Sequence, residues 1–424
     1  MANSLRSFQS VLLSVALLLT GHGLQLTLLP LQAHAQGWSN DLIGLTGSAY
    51  YLGFVLGCVF IPRVIRNVGH IRTFTVFVTV ATLSVLIADS LSVWIVWILI
   101  RIASGLAMAG VYMVVESWLN ERVESRARGF VLAMYTSISL GAMVSGQLFV
   151  GFSGLTLEDL FPVALAFLLF AMLPIGLTSQ PQPRQPEDIC FRWQSTYSAS
   201  QVGMVCACLS GVVVGLIWTL GAVYALDSLG NAEAGSRFVM FCLLGGFIAQ
   251  FPAGRLSDLL DRRYVILVLA FLGIVGACIP FIATTPSATL LYLSAFLCGA
   301  SAIPMYSICV AHANDNASGN FLEIASGMLI ANAMGSIAGP LIYSLLEGVV
   351  NSQAFMLILG SAFVCCFAWT VFRITVHPVS REYFEPYQPL PKTTANAIPL
   401  DPRVELEEVE SSVVEGESNT EKTS

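Results

Sequence analysis

Twelve apolar runs punctuate the chain, at about 8–29, 42–62, 72–88, 92–118, 129–153, 160–178, 201–226, 236–253, 264–284, 288–311, 322–346 and 352–372. Each is close to the roughly 20 residues that an α-helix needs to cross a bilayer at 1.5 Å per residue. In hydrocarbon every backbone N–H and C=O must be satisfied within the protein, so the spanning structures open to a chain are helices and closed barrels. Barrel strands would alternate apolar and polar residues over about ten positions. These runs mix apolar and small residues without alternation. The fold class they predict is an all-α membrane protein of twelve transmembrane helices. Composition agrees: 11% of the residues are charged, against about 25% in soluble domains, and the mean hydropathy is +0.76.

The distribution of Lys and Arg predicts the topology. With both termini cytoplasmic, 17 of the 19 basic residues face the cytoplasm; Arg237 falls outside and Arg101 falls within the fourth run. The positive-inside rule demands such an asymmetry. Arg6, the first apolar run and Ala33-His34-Ala35 imitate a secretory leader with its cleavage site. The run is longer than the 7–15 residues of such leaders, so the expectation is that it stays as the first helix. The localisation expected is the cell inner (plasma) membrane, multi-pass, N-in and C-in.

Polarity divides the chain further. Residues 1–178 form one six-helix bundle, 179–200 a polar cytoplasmic linker, and 201–373 a second six-helix bundle. Residues 374–424 carry ten acids against Arg381, Lys392, Arg403 and Lys422, and are expected to be a disordered acidic cytoplasmic tail. This tail supplies most of the formal net charge of −7. No basic surface for nucleic acid is present.

The halves repeat each other. A shift of 194 places Gly105 over Gly299, Tyr112 over Tyr306, Asn120 over Asn314, Glu121 over Asp315 and Gly141 over Gly335, with Ser145-Gly146 over Gly339-Pro340. A shift of 192 places Pro62-Arg63 over Gly254-Arg255. Two related bundles can rock about a site at their interface, which is how secondary transporters are built.

With these motifs in view, residues 8–373 resemble the major facilitator superfamily. The family pattern Gly-x-x-x-Asp-Arg-x-Gly-Arg-Arg is matched between helices 8 and 9 by Gly254, Asp258, Arg262 and Arg263. Leu259 stands at a usually basic position and Asp261 at the second Gly. In the first copy, PRVIRNVGHIR, Gly69 fits, whereas Pro62 and Arg66 replace Gly and Asp. Arg101-Ile-Ala-Ser-Gly105 supplies the Arg-x-x-x-Gly of helix 4. Glu116-Ser-Trp-Leu-Asn120 and His312-Ala-Asn-Asp315 are similar to a poorly characterised bacterial branch. The resemblance implies two pseudo-symmetric bundles and a cytoplasmic gating role for Arg63, Gly69, Gly254, Asp258, Arg262 and Arg263. For Arg262 and Arg263, topology enforcement is the alternative reading, and both roles are expected to coexist.

Within the membrane, the costly residue is Arg101, which must face protein or water. It would bind an anionic solute group, couple to a proton-carrying carboxylate, or form a buried structural pair. Glu116, about 22 Å further along the same helix, is either a titrating acid or a surface partner of Arg122 or Arg126. His22, Gln25, Tyr135, Trp218, Gln250, Tyr306 and Asn332 are candidates for a polar cavity lining, each alternatively an interhelical hydrogen bond. Asp41 and Glu323 read as acids at helix N-termini. The ten Cys lack metal-ligand spacing and read as small hydrophobes. No catalytic constellation, metal site, cofactor motif or GxxxxGK[ST] loop is found, so no enzyme is expected.

The function expected is a proton-coupled secondary active transporter of a small organic solute, working as a monomer among membrane lipids, with efflux preferred to uptake. The alternative is a non-transporting sensor or assembly factor on the same fold.

Overall fold

The structure, a computed structural model, describes residues 2–122, 128–152, 154–177, 193–282, 287–315, 321–350 and 353–376. Most of the expected linker and the acidic tail lie outside them. The first half contains α1 (Ala2–Ala35), α2 (Asn40–Val68), α3 (His70–Ser90), α4 (Trp94–Arg122), α5 (Arg128–Phe152), α6 (Leu157–Phe170) and α7 (Met172–Gly176). A short helix, α8 (Trp193–Ala199), leads into the second half. There follow α9 (Gln201–Leu229), α10 (Ala232–Leu259), α11 (Arg262–Ile282), α12 (Ala288–Asp315), α13 (Phe321–Val350) and α14 (Ala354–Val376). Among the described residues, twelve helices or helix pairs are long and apolar enough to cross a membrane, with α6 and α7 sharing the sixth span.

Local chemistry explains the breaks. Pro174 has no N–H to return to Phe170, and the sixth span breaks at Ala171; the Ala171 carbonyl there accepts from Ser14 Oγ. Ser200 caps α9 by accepting from the Gly203 amide at 2.8 Å, and Asn231 caps α10 by accepting from that of Ala234 at 2.8 Å. Thr156 and Asp159 form a reciprocal capping box at α6. The α2–α3 turn runs through Gly69, whose φ of 88° suits glycine. Asp41 and Glu323 lie in the first turns of α2 and α13.

The main packings in one half have their equivalents in the other. α2 lies on α4 as α10 lies on α12, α1 on α5 as α9 on α13, and α3 on α6 as α11 on α14. The seams between the halves also pair: α2 with α13, and α5 with α10.

Glycine contacts set the repeat's register. A Cβ on Gly105 would sit 1.9 Å from the Tyr50 carbonyl oxygen, and one on Gly299 would sit 1.9 Å from that of Cys242. These pairs confirm the shifts of 194 in α4/α12 and 192 in α2/α10. In α5/α13 the register differs from expectation. Gly146 meets the Thr20 carbonyl as Gly339 meets that of Val212, a shift of 193. Gly141 faces open space, whereas Gly335 packs on the Cys208 carbonyl, so those two glycines are not equivalent.

Candidate functional site

A cavity of about 180 Å³ lies between the bundles. Its walls come from α1, α2, α4 and α5 in the first half and from their equivalents α9, α10, α12 and α13 in the second. Most of the lining is apolar or aromatic, with Tyr50, Tyr51, Phe54, Tyr112 and Trp218 prominent. Its polar groups are neutral hydroxyls and amides together with His22; among the described residues no Asp, Glu, Lys or Arg lines it.

The expected lining residues separate into three groups. His22, Trp218, Gln250 and Asn332 line the cavity. Gln250 Nε2 donates to Ser307 Oγ at 3.3 Å, and Asn332 Nδ2 donates to the Ala207 carbonyl at 2.8 Å. Gln25 lies outside it, in an adjoining pocket of about 20 Å³ that holds Arg101 and shares His22, Tyr50, Tyr51 and Trp218 with the cavity. Tyr135 and Tyr306 line neither pocket. They belong to a buried cluster around Glu116, which is 0% exposed and accepts from Tyr135 Oη at 3.4 Å. Tyr112, Cys58 and, from the other half, Tyr306 lie within electrostatic range of the Glu116 carboxyl group. Glu116 is therefore a core acid rather than a surface one.

Arg101 is the eighth residue of α4, about 10 Å from its start. Its guanidinium carbon lies 4.5 Å from the Tyr50 ring centroid, a cation–π contact. Among the described residues no carboxylate pairs with Arg101. His22 and Gln25 line the same pocket, and the buried Nδ1 of the first and Nε2 of the second have no hydrogen-bond partners.

At the α1–α2 end, side chains join the two halves. Ser48 Oγ donates to the Ile337 carbonyl at 2.9 Å and Ser344 Oγ to that of Asp41 at 2.9 Å. His34 lies 3.5 Å from Asp227. Gln147, fully buried on α5, is the hub: it accepts from Thr27 Oγ1 at 2.6 Å, donates to the Gly23 carbonyl, and receives Ser236 Oγ of α10 on its backbone carbonyl at 2.6 Å. Sequence reasoning missed Gln147, though an amide deep in an apolar run is a signal. Gln147→Leu removes the acceptor of the Thr27 hydroxyl and the second donor to the Gly23 carbonyl, and each buried hydrogen bond lost costs about 0.5–1.5 kcal/mol. The variant is expected to show faster amide hydrogen exchange at the joined ends of α1, α5 and α10, roughly tenfold or more; unchanged exchange there would remove Gln147 from the closure.

At the opposite end lie the motif residues. Arg262, fully buried at the start of α11, makes a bidentate pair with Asp315 of α12, Nε–Oδ2 2.5 Å and Nη2–Oδ1 3.0 Å. Arg263 pairs with Asp261 at 3.3 Å, and the Asp261 carboxylate caps α11 by accepting from the Arg263 amide at 2.9 Å. Asp258 is exposed in the last turn of α10, Gly254 is buried one turn earlier, and Arg63 is exposed on α2. The Arg262–Asp315 pair lies within the second half, joining α11 to α12.

Two bundles enclosing a shared cavity, joined at one end, define a membrane carrier fold. The chain matches the family model of the Major Facilitator Superfamily over residues 11–192 and 203–405, and it belongs to that superfamily. It is 27% identical over 347 residues to an uncharacterized MFS-type transporter of Yersinia pseudotuberculosis, spanning 80% of this chain and 88% of that one. It is 27% identical over 349 residues to the uncharacterized MFS-type transporter YcaD of Escherichia coli, with the same coverage. A variant of the nucleoside transporter NupG superposes with a TM-score of 0.71 at 14% identity, covering 86% of this chain and 99% of that one. The fucose:proton symporter FucP of Escherichia coli, as a variant, gives 0.56 at 14% identity, covering 87% and 99%. These structural likenesses concern the fold.

Proposed function

We propose that this transporter is a secondary active carrier that binds a small organic solute in the cavity between its bundles and exposes it alternately to the two sides. The observation that carries the reading is the cavity itself: equivalent helices of both halves wall it, and interbundle hydrogen bonds close it at one end. Arg63, Arg66, Arg255, Arg262 and Arg263 sit at the other end, which supports a cytoplasmic assignment there, both termini inside and an inner-membrane location. The closed end is then the outer one. The mainly apolar lining supports efflux as the direction.

Coupling to protons is assigned to Glu116. Its support is a buried carboxylate in contact with Tyr135 and electrostatically linked to Tyr306 across the interface. The test is flux into proteoliposomes across a panel of amphipathic compounds, sugars and organic anions. Glu116→Gln is expected to keep solute counterflow within about threefold while losing accumulation driven by an imposed proton gradient, because an amide cannot carry the proton. Wild-type accumulation by the folded variant would remove Glu116 from coupling. No flux of any solute by the folded wild-type protein would return the sensor reading.

A further inference from the structure

We propose that the solute is a small amphipathic monocarboxylate, its carboxylate held at Arg101, His22 and Gln25 and its apolar body in the main cavity; this rests on the carrier reading above.

The two connected spaces differ in size and chemistry. A space of about 20 Å³ exceeds the 10–15 Å³ needed for one water and suits a compact headgroup rather than a molecular body. It is lined by Arg101, without a carboxylate partner among the described residues, and by Gln25 and His22, whose Nε2 and Nδ1 are buried without partners; the guanidinium and the Gln25 amide donate, and His22 Nδ1 donates in the tautomer that carries its proton there. The Tyr50 ring attracts the cation but accepts no fork of in-plane hydrogen bonds. A planar carboxylate does, bidentately. Donors buried without partners are costly in the empty site, and a bound acceptor relieves that cost.

Charge narrows the class. Among the described residues, Arg101 is the one Lys or Arg lining either space, and no Asp or Glu lines them. One fixed positive charge matches one negative charge, so a dianionic phosphate would leave a buried excess. A cationic amine would find no counterion. The main space, at about 180 Å³, falls below the 300–1,000 Å³ of sites for drug-sized ligands, which sets the body at about one ring or a short branched chain. Trp218, Tyr50 and Tyr51 line both spaces and place an aromatic collar where head joins body.

The test is equilibrium binding to the full chain in detergent, using phenylacetate, its neutral isostere phenylacetamide, phenethylamine and acetate. A hydrogen-bonded charge contributes a factor of roughly ten to a hundred. Phenylacetate is expected to bind at least tenfold more tightly than each of the other three. Arg101→Gln is expected to erase the preference for acid over amide. Gln25→Leu, a milder change, is expected to narrow it while the protein stays monodisperse. Equal binding of acid and amide, preference for the amine, an undiminished preference in folded Arg101→Gln, or no binding of any probe would overturn the assignment. Transport of the amide or amine in proteoliposomes would sink the solute class and leave the carrier reading intact. Selective binding of phenylacetate without flux would sink the carrier reading and leave the site.

Discussion

Arg262→Ala is expected to destabilise the folded chain by about 3–5 kcal/mol, the usual result of removing one partner from a buried ion pair. Arg262 is 0% exposed and Asp315 11%, so the substitution leaves a carboxylate in a low-dielectric site with neither of its guanidinium hydrogen bonds. Arg262→Lys is expected to recover only part of the loss, because an ammonium does not reproduce the two-pronged contact. The double replacement Arg262→Met with Asp315→Leu is expected to recover most of it, since a buried pair exchanged for well-packed apolar groups is often neutral. The measurement is the monodisperse fraction surviving a temperature series in detergent. A residue acting only as a gate would change transport and leave all three thermal profiles alike. A flat profile for Arg262→Ala would therefore contradict a stabilising role for the pair.

Gly105→Leu is expected to abolish recovery of folded protein, and Gly299→Leu to do the same. At each, a Cβ would lie 1.9 Å from a carbonyl oxygen of the facing helix. Relief needs more than an ångström of backbone separation along α2/α4 or α10/α12, beyond what rotamer changes supply. Overpacking commonly costs about 1–3 kcal/mol even where side chains can shift, and a backbone obstacle places these two above that range. Gly141→Ala is the contrast. Nothing lies within 4 Å of its Cβ, so a gain of up to about 1 kcal/mol from helix propensity is expected. Size-exclusion profiles of the three variants would check the prediction. A monodisperse Gly105→Leu protein would show that the α2–α4 contact is looser than described.

The helices were legible because lipid imposes a length and an apolar composition on each. Their ends were less so. The run at 42–62 belongs to a helix extending from Asn40 to Val68, and the run at 236–253 to one from Ala232 to Leu259. Helices continue into the interface, where Arg63, Arg66, Arg255 and Asp258 are soluble, and hydropathy falls before the hydrogen-bond ladder does. The repeat was legible where backbone contacts admit only glycine, at Gly105 and Gly299. It slipped by one residue in α5/α13, where Gly141 and Gly335 agree in identity but not in surroundings.

The site was harder to read. His22, Trp218, Gln250 and Asn332 stand out as polar or amphipathic residues in apolar helices. An all-apolar helix, however, has no periodicity to say which face meets the cavity. Tyr135 and Tyr306 consequently looked like lining residues and instead sit with Glu116. Gln147 and its partner Thr27 are 120 positions apart, a contact that one helix's pattern cannot encode. Arg101 was conspicuous because an arginine in hydrocarbon always demands a reason.

The joints of this molecule come in two grades. Within each half, helices are welded backbone to backbone at glycine, with no atom able to rotate out of the way. Across the seam, several fastenings are serine hydroxyls, and these are reversible by construction. Ser344 Oγ reaches the Asp41 carbonyl of the opposite half at 2.9 Å and, equally, the Pro340 carbonyl of its own helix at 3.0 Å. A hydroxyl that loses its far acceptor can fall back on the near one, so parting there strands no donor. Such a seam can reopen and reseal many times with little change in the number of hydrogen bonds, while the welded halves keep their shape.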